Sequence, residues 1–203
     1  MFKNTHPFRM LRALRSFSNQ YYNDWEKKLG YCHPKAGIIN PTYILGPENV
    51  YMEEDTVVKR ATIMTPVCKF IMKKHSGAAP GLSVFTGNHM RVIGRFYRSI
   101  KQEEKIEGYD LGVTVEEDCW LGANVTLLQG VVVRRGTTVA AGAVVNKSTL
   151  PYSIWGGVPA KLIKVYWTID QIIEHEKQLY PENERYSREQ LEEFYSSVKK
   201  NIF

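Results

Sequence analysis

Histidine is the side chain whose ordinary pKa, near ~6.5, lets it take up and return a proton at neutral pH. The chain holds five of them: His6, His33, His75, His89 and His175. One stands at a break in pattern. A six-residue spacing of apolar residues ceases after "VFTGNHM" at 84–90 and resumes about twenty residues later at "VTVEEDCWLGANV". A hydroxyl is a poor nucleophile until it loses its proton, and a positioned imidazole acting as general base is typically worth ~10²–10⁴ in rate. A loop histidine alone says little. At the break, with Asn88 beside it, His89 becomes the candidate for proton transfer. His75, in "MKKHSGAAPG", reads as a turn residue, His175 as a solvated helical one, and His6 and His33 fall outside the repeat.

The elements that must hold His89 are legible in the spacing itself. From Val115, apolar residues fall at every sixth position: Val115, Leu121, Leu127, Val133, Val139 and Val145. The fifth place of each hexad is small or apolar (Cys119, Val125, Val131, Thr137, Ala143), and the same phase is read earlier at Leu45, Tyr51, Val57 and Ile63. A period of six fits neither the 3.6 residues of a helical turn nor the alternation of a flat strand. It fits a coil of short straight sides joined by corners, each side sending one aliphatic inward to stack on the next coil. The sequence therefore predicts a mainly β chain, a parallel β-helix over 41–165. Residues 88–111 carry no hexad and form a loop extruded at a corner, where insertions are tolerated.

Helical spacing brackets the repeat. Phe8, Leu11, Leu14, Phe17, Tyr21, Trp25 and Leu29 recur at helical intervals up to Gly30, so residues 1–40 are expected to cap the open end of the β-helix. A basic helix on a membrane surface is the other reading. Asp24 and Glu26 in the same stretch favour the cap. After "PAKLIKVYW", residues 166–203 read as helical: Thr168 and Gln171 form a capping box, and Ile169, Ile172, Ile173 and Leu179 an apolar stripe. Pro181 divides this region, and a second helix follows from Ser187 through Phe194 and Val198.

Composition narrows the classes. Of 203 residues, 43% are apolar and 24% charged, as in ordinary globular proteins, and no run of apolar residues is long enough to span a bilayer. The N-terminus lacks the apolar core of a secretory signal, and Cys32, Cys68 and Cys119 have neither paired nor metal-type spacing, so a reduced, cytoplasmic protein is expected. The formal charge of +6 is concentrated in Lys3, Arg9, Arg12 and Arg15, and in Arg91, Arg95, Arg98, Lys101 and Lys105 after the break. Neither group carries a nucleic-acid-binding motif; a phosphate-bearing small molecule suits them better.

The stretch "VTVEEDCWLGANVTLLQGVVVRRGTTVAAGAVVNKSTLPYSIWGGVPAKLIK" resembles the C-terminal signature of the hexapeptide-repeat acyltransferases. The likeness is to their sugar, antibiotic and polysaccharide O-acetyltransferases. It covers 43–165 and is most specific from 112 to 164. It implies a left-handed parallel β-helix of hexapeptide repeats with helical appendages at both termini, assembled as a homotrimer with acetyl-CoA between adjacent subunits. It further implies transfer of an acetyl group to a sugar hydroxyl, in capsule or O-antigen biosynthesis or, alternatively, to a streptogramin-type antibiotic. By the same likeness His89 is the catalytic base and Asn88 a substrate neighbour. Trp120, Ala123 and Ala141 line the pantetheine arm, while Asn146, Lys147, Lys161 and Lys164 meet the phosphate end of the cofactor. Trp155 and Gln129 depart from the pattern, Gln129 affecting only a corner. Glu116, Glu117 and Asp110 are the candidates to orient His89. Zinc carbonic anhydrases share this fold but need three histidine ligands per metal, including a pair spaced five apart, which the chain lacks. A silent scaffold or ligand-binding trimer is the remaining class.

Overall fold

The computed structural model describes residues 6–196. Three parallel sheets of five, seven and five strands wrap one another, consecutive strands of the chain passing from sheet to sheet. The first face holds Tyr31–Cys32, Val50–Met52, Phe70–Met72, Val113–Val115 and Val132–Val133. The second holds Gly37–Ile39, Val57–Lys59, Gly77–Ala78, Trp120–Leu121, Thr138–Val139 and Ser153–Gly156, closed by the antiparallel return Lys161–Val165. Tyr43–Leu45, Thr62–Met64, Ser83–Phe85, Thr126–Leu127 and Val144–Val145 form the third. The result is a parallel β-helix with helical segments at both ends.

The predicted inward positions from Val115 to Val145 are all fully buried, and so are the intervening Cys119, Val125, Val131, Thr137 and Ala143. In this half each coil takes eighteen residues, as the pairing of Thr114 with Val132 shows. The earlier phase needs correction. Leu45 is exposed and Tyr51 and Val57 face partly outward, whereas Ile44, Val50, Met52 and Val58 fill the core; Ile63 alone was placed correctly. Here the coil takes twenty residues (Tyr31 pairs with Tyr51, Val50 with Phe70), so a strict count of six slips by one and exchanges the two faces of the strand. The β-helix also begins before residue 41, because Tyr31–Cys32 and Gly37–Ile39 already pair with the next coil.

Corners between the first and second faces stack Asp55, His75, Asp118 and Gly136, all with positive φ. His75 is thus the turn residue its neighbours suggested, with Nδ1 3.1 Å from Asp55 Oδ2. Helix α1, His6–Tyr21, does not seal the first coil, for its apolar side chains are exposed. Trp25 and Leu29 do so instead; Trp25 is buried and its Nε1 donates to Thr42 O at 3.0 Å. Helix α2, Ile169–Leu179, has the expected reciprocal cap, Gln171 N donating to Thr168 Oγ1 and Thr168 N to Gln171 Oε1. Ile172 is buried, but Leu179 is 60% exposed, because the helix ends there and its inner face turns to Glu176. Helix α3, Arg188–Ser196, packs Leu191 and Tyr195 against α2 and Tyr152. Lys3 and Val198 lie outside the described residues.

Candidate active site between the third corner and the second face

The extruded loop leaves the third face after Phe85. Thr86 Oγ1 donates to Met64 O at 3.3 Å and Cys68 O at 3.0 Å, fixing the departure from the coil. Gly87 follows, and a Cβ there would lie 3.3 Å from Asp110 Oδ1, so a larger residue would push against that carboxylate. Asp110, at the far end of the loop, receives hydrogen bonds from Asn88 N (3.0 Å), Gln102 Nε2 (2.8 Å) and Lys105 Nζ (2.7 Å). Its own carbonyl accepts from Cys68 Sγ at 3.2 Å. Burial pushes the Asp110 carboxyl up, but the bonds from Lys105, Gln102 and Asn88 outweigh it and hold it below the ordinary carboxylate range. A single buried carboxylate therefore ties together both ends and the middle of the loop.

His89 stands on this clamp. Its N–H donates to Asn88 Oδ1 at 2.8 Å, and its carbonyl accepts from Tyr109 Oη at 3.1 Å. The imidazole is exposed and meets the Tyr97 ring edge-on with centroids 4.9 Å apart, while the Arg91 guanidinium covers Tyr97 at 4.9 Å. No carboxylate pairs with the imidazole among the described residues. Arg91 was legible only as part of the basic group after the break, and nothing in the sequence set Tyr97 or Tyr109 beside the histidine. Nor is the basic group after the break a free anion site throughout: Arg95 pairs with Glu104 at 2.6 Å and Lys105 with Asp110, inside the loop.

Two clefts meet at Asn88. One, of about 360 Å³, is lined by Met64, Pro66, Phe85, Gly87, Asn88 and His89. The other, of about 420 Å³, shares Phe85, Gly87 and Asn88 and reaches Leu128, Gln129 and Asn146. Gln129 departs from the family pattern at more than a corner. It forms part of the cleft wall, and its Oε1 is buried without a hydrogen-bond partner among the described residues.

The remaining predicted residues occupy a different part of the prism. Trp120 is 51% exposed on the second face, its ring over Gly77, whose absent Cβ would sit 3.5 Å away. One lateral row runs from Trp120 through Thr138 and Ile154 to Lys164. At the adjoining corner, coils approach so closely that a Cβ on Gly122 would lie 2.6 Å from Ala141 N. Ala123 and Ala141 border this contact, and Gly142 N donates to Ala123 O at 2.8 Å. Lys161 pairs laterally with Gly156, which itself sits against Ala140. Lys161, Lys164 and Lys147 are exposed and have no ion pair among the described residues. Asn146 and Lys147 follow the third face, on the His89 side. Within one chain, then, Asn88, His89, Asn146 and Lys147 gather at the third corner. Trp120, Ala123, Ala141, Lys161 and Lys164 gather on the second face and its corner with the third.

Within one chain Glu116 and Glu117 do not meet His89. Both belong to the corner between the first and second faces, where Arg135 N and Tyr186 Oη donate to Glu116 Oε2 and Arg135 Nε to Glu117 Oε2 at 3.1 Å. His175 is not solvated either: it lies against Trp167 at 4.6 Å and edge-on to Tyr152 at 5.5 Å, with Nε2 buried and unpartnered among the described residues. All three thiols are pushed up by burial, Cys119 most, which removes a low-pKa sulfur nucleophile from consideration.

The fold is a parallel β-helix, and within it residues 112–147 match the family model described as the hexapeptide repeat of succinyl-transferase. A Lysinibacillus sphaericus protein named "Probable macrolide acetyltransferase" is 31% identical over 104 residues, 51% of this chain and 56% of its own. Gamma carbonic anhydrase 2 of Arabidopsis thaliana is 47% identical over 55 residues, 26% and 20% of the two chains. A solved galactoside acetyltransferase in complex with coenzyme A superposes with a TM-score of 0.60 at 17% identity, covering 89% of each chain. The chain spans less than two thirds of the length of the curated relatives it matches. No group of three or more His, Cys, Asp or Glu side chains able to hold a metal ion exists among the described residues. No described helix is long and apolar enough to cross a membrane.

Proposed function

We propose that this chain is an acetyl-CoA-dependent O-acetyltransferase acting on a sugar hydroxyl, with surface polysaccharide biosynthesis in the cytoplasm as its setting. The observation that carries the reading is the division of the site. The third corner holds a histidine on a rigid carboxylate clamp beside two clefts. The second face holds an aromatic ring, a strip of small residues and unpaired lysines, and the third face separates the two groups. A homotrimer in which the third corner of one copy meets the second face of the next completes one site per interface.

The residues suit their roles. Ala123 and the exposed Ala141 present only small side chains, so an extended pantetheine arm can approach the backbone there, and Lys161 and Lys164 offer ammonium groups to phosphates. In that assembly His89 takes the acceptor hydroxyl proton as the oxygen attacks the acetyl carbonyl carbon. The C–S bond then breaks, and the imidazolium returns its proton to the departing thiolate. Release of free thiol from acetyl-CoA, screened against mono- and oligosaccharides and against a macrolide, tests the reading. The macrolide arm is included because of the Lysinibacillus sphaericus relative. No thiol release with any acceptor contradicts acetyl transfer.

Asp110 is the positioning residue in this account. Asp110→Asn keeps the shape but loses the ion pair with Lys105, and is expected to lower kcat by about 10- to 100-fold, the effect of a small misplacement of a catalytic group. KM for acetyl-CoA, bound elsewhere, should hold. Because the folded carboxyl is lowered, the wild-type clamp survives below the ordinary carboxylate range and is lost as pH falls through the lowered value. An unchanged kcat would remove Asp110 from the mechanism.

A further inference from the structure

Helix α1 has no use in the site just described, and the β-helix does not cover it. Its sixteen residues, HPFRMLRALRSFSNQY, contain Arg9, Arg12 and Arg15 and no acidic residue. At 100° per residue, Met10, Leu11, Leu14, Phe17 and Tyr21 fall in one arc, and Arg9, Arg12, Arg15 and Ser16 in the opposite one, with Phe8 among the arginines. All five residues of the apolar arc are exposed, from Tyr21 at 46% to Met10 at 64%. Phe17 and Tyr21 stack on each other at 4.5 Å rather than on the body of the protein. Trp25 and Leu29 already seal the first coil. The segment just after α1 is nevertheless held there, since Asn40 Nδ2 donates to Asn23 O at 3.3 Å.

We propose that α1 docks the protein on an anionic lipid surface, its apolar arc in the acyl boundary and its arginines among the headgroups. Continuous exposed apolar area of this kind marks a contact surface. The chemistry of the rim identifies the partner: a helix with three cations and no anion complements negatively charged lipid. A second copy of the same helix would offer those cations no complementary charge. This inference is independent of the acetyl-transfer reading.

Flotation of the full chain with vesicles tests it, comparing equal mixtures of phosphatidylglycerol and phosphatidylcholine with phosphatidylcholine alone. The wild-type chain is expected to float with the anionic vesicles. The change Arg9→Gln/Arg12→Gln/Arg15→Gln is expected to weaken partitioning by about 100-fold, and Leu14→Asp by tenfold or more. These side chains are exposed, so thermal unfolding should not move. No binding to anionic vesicles, equal binding to both compositions, or binding retained in both variants overturns the proposal. Absence of vesicle binding with a fall in molar mass on Leu14→Asp would assign the face to a second copy.

Discussion

Replacing His89 by alanine is expected to lower acetyl transfer by ~10²–10⁴, the usual worth of a positioned general base, while leaving the affinity for acetyl-CoA within about twofold. The separation of effects follows from the geometry. The His89 imidazole is exposed at the mouth of its cleft and touches the Tyr97 ring, so its removal opens no buried cavity. The backbone bonds that hold its position, His89 N to Asn88 Oδ1 and Tyr109 Oη to His89 O, survive the change. The residues proposed to bind acetyl-CoA sit largely on the second face. Steady-state thiol release with an accepted sugar, alongside direct binding of acetyl-CoA, measures both halves. A kcat within threefold of wild type would show that another group takes the proton.

The second large effect concerns stability. Arg135 is buried between the rings of Tyr180, at 4.1 Å, and Tyr186, at 4.9 Å. It donates to Glu117, to Glu176 Oε1 at 3.1 Å and to Glu184 O at 2.9 Å. Glu176, only 1% exposed, also accepts from Tyr152 Oη at 2.9 Å and Tyr186 N at 2.6 Å. This one guanidinium joins a β-helix corner, helix α2 and the turn between α2 and α3. Arg135→Ala leaves the buried Glu176 carboxylate without its cation, while Glu117 keeps Lys73 Nζ at 3.2 Å; breaking a buried pair costs about 3–5 kcal/mol. At roughly 2–4 °C per kcal/mol for a chain of this size, Tm should fall by about 6–20 °C. Arg135→Lys should recover little, because an ammonium cannot serve the fork or lie flat between two rings. A thermal scan followed by circular dichroism at fixed protein concentration decides it, and a Tm within two degrees of wild type would show that the C-terminal helices are held by apolar contacts alone.

Neither the network around Arg135 nor the clamp at Asp110 could be read from spacing. Arg135 and Glu176 are 41 positions apart, and Asp110 meets Asn88 across 22, so both depend on how coils and helices stack. What the sequence did expose was periodic. Between Val113 and Val145 each coil has the same length, so inward residues recur without error and the fold follows from arithmetic. In the first two coils the longer corners break that count, and Leu45, Tyr51 and Val57 were placed on the wrong side. His89 stood out for the opposite reason: it lies at the start of the segment that the repeat cannot explain, and the family resemblance points to the same place. Tyr97 and Tyr109 lie within that segment, where no period constrains which side chains turn back to the histidine. The division of the candidate site between two parts of the prism required the strand order itself.

Titration of acetyl-CoA into the purified chain by calorimetry tests the central claim most directly. The account predicts micromolar binding, one molecule per chain, weakened at least tenfold by Lys161→Ala through loss of a charged phosphate contact and unchanged by His89→Ala. No heat of binding at millimolar acetyl-CoA would contradict it, and would leave the hexapeptide coils as architecture for some other chemistry.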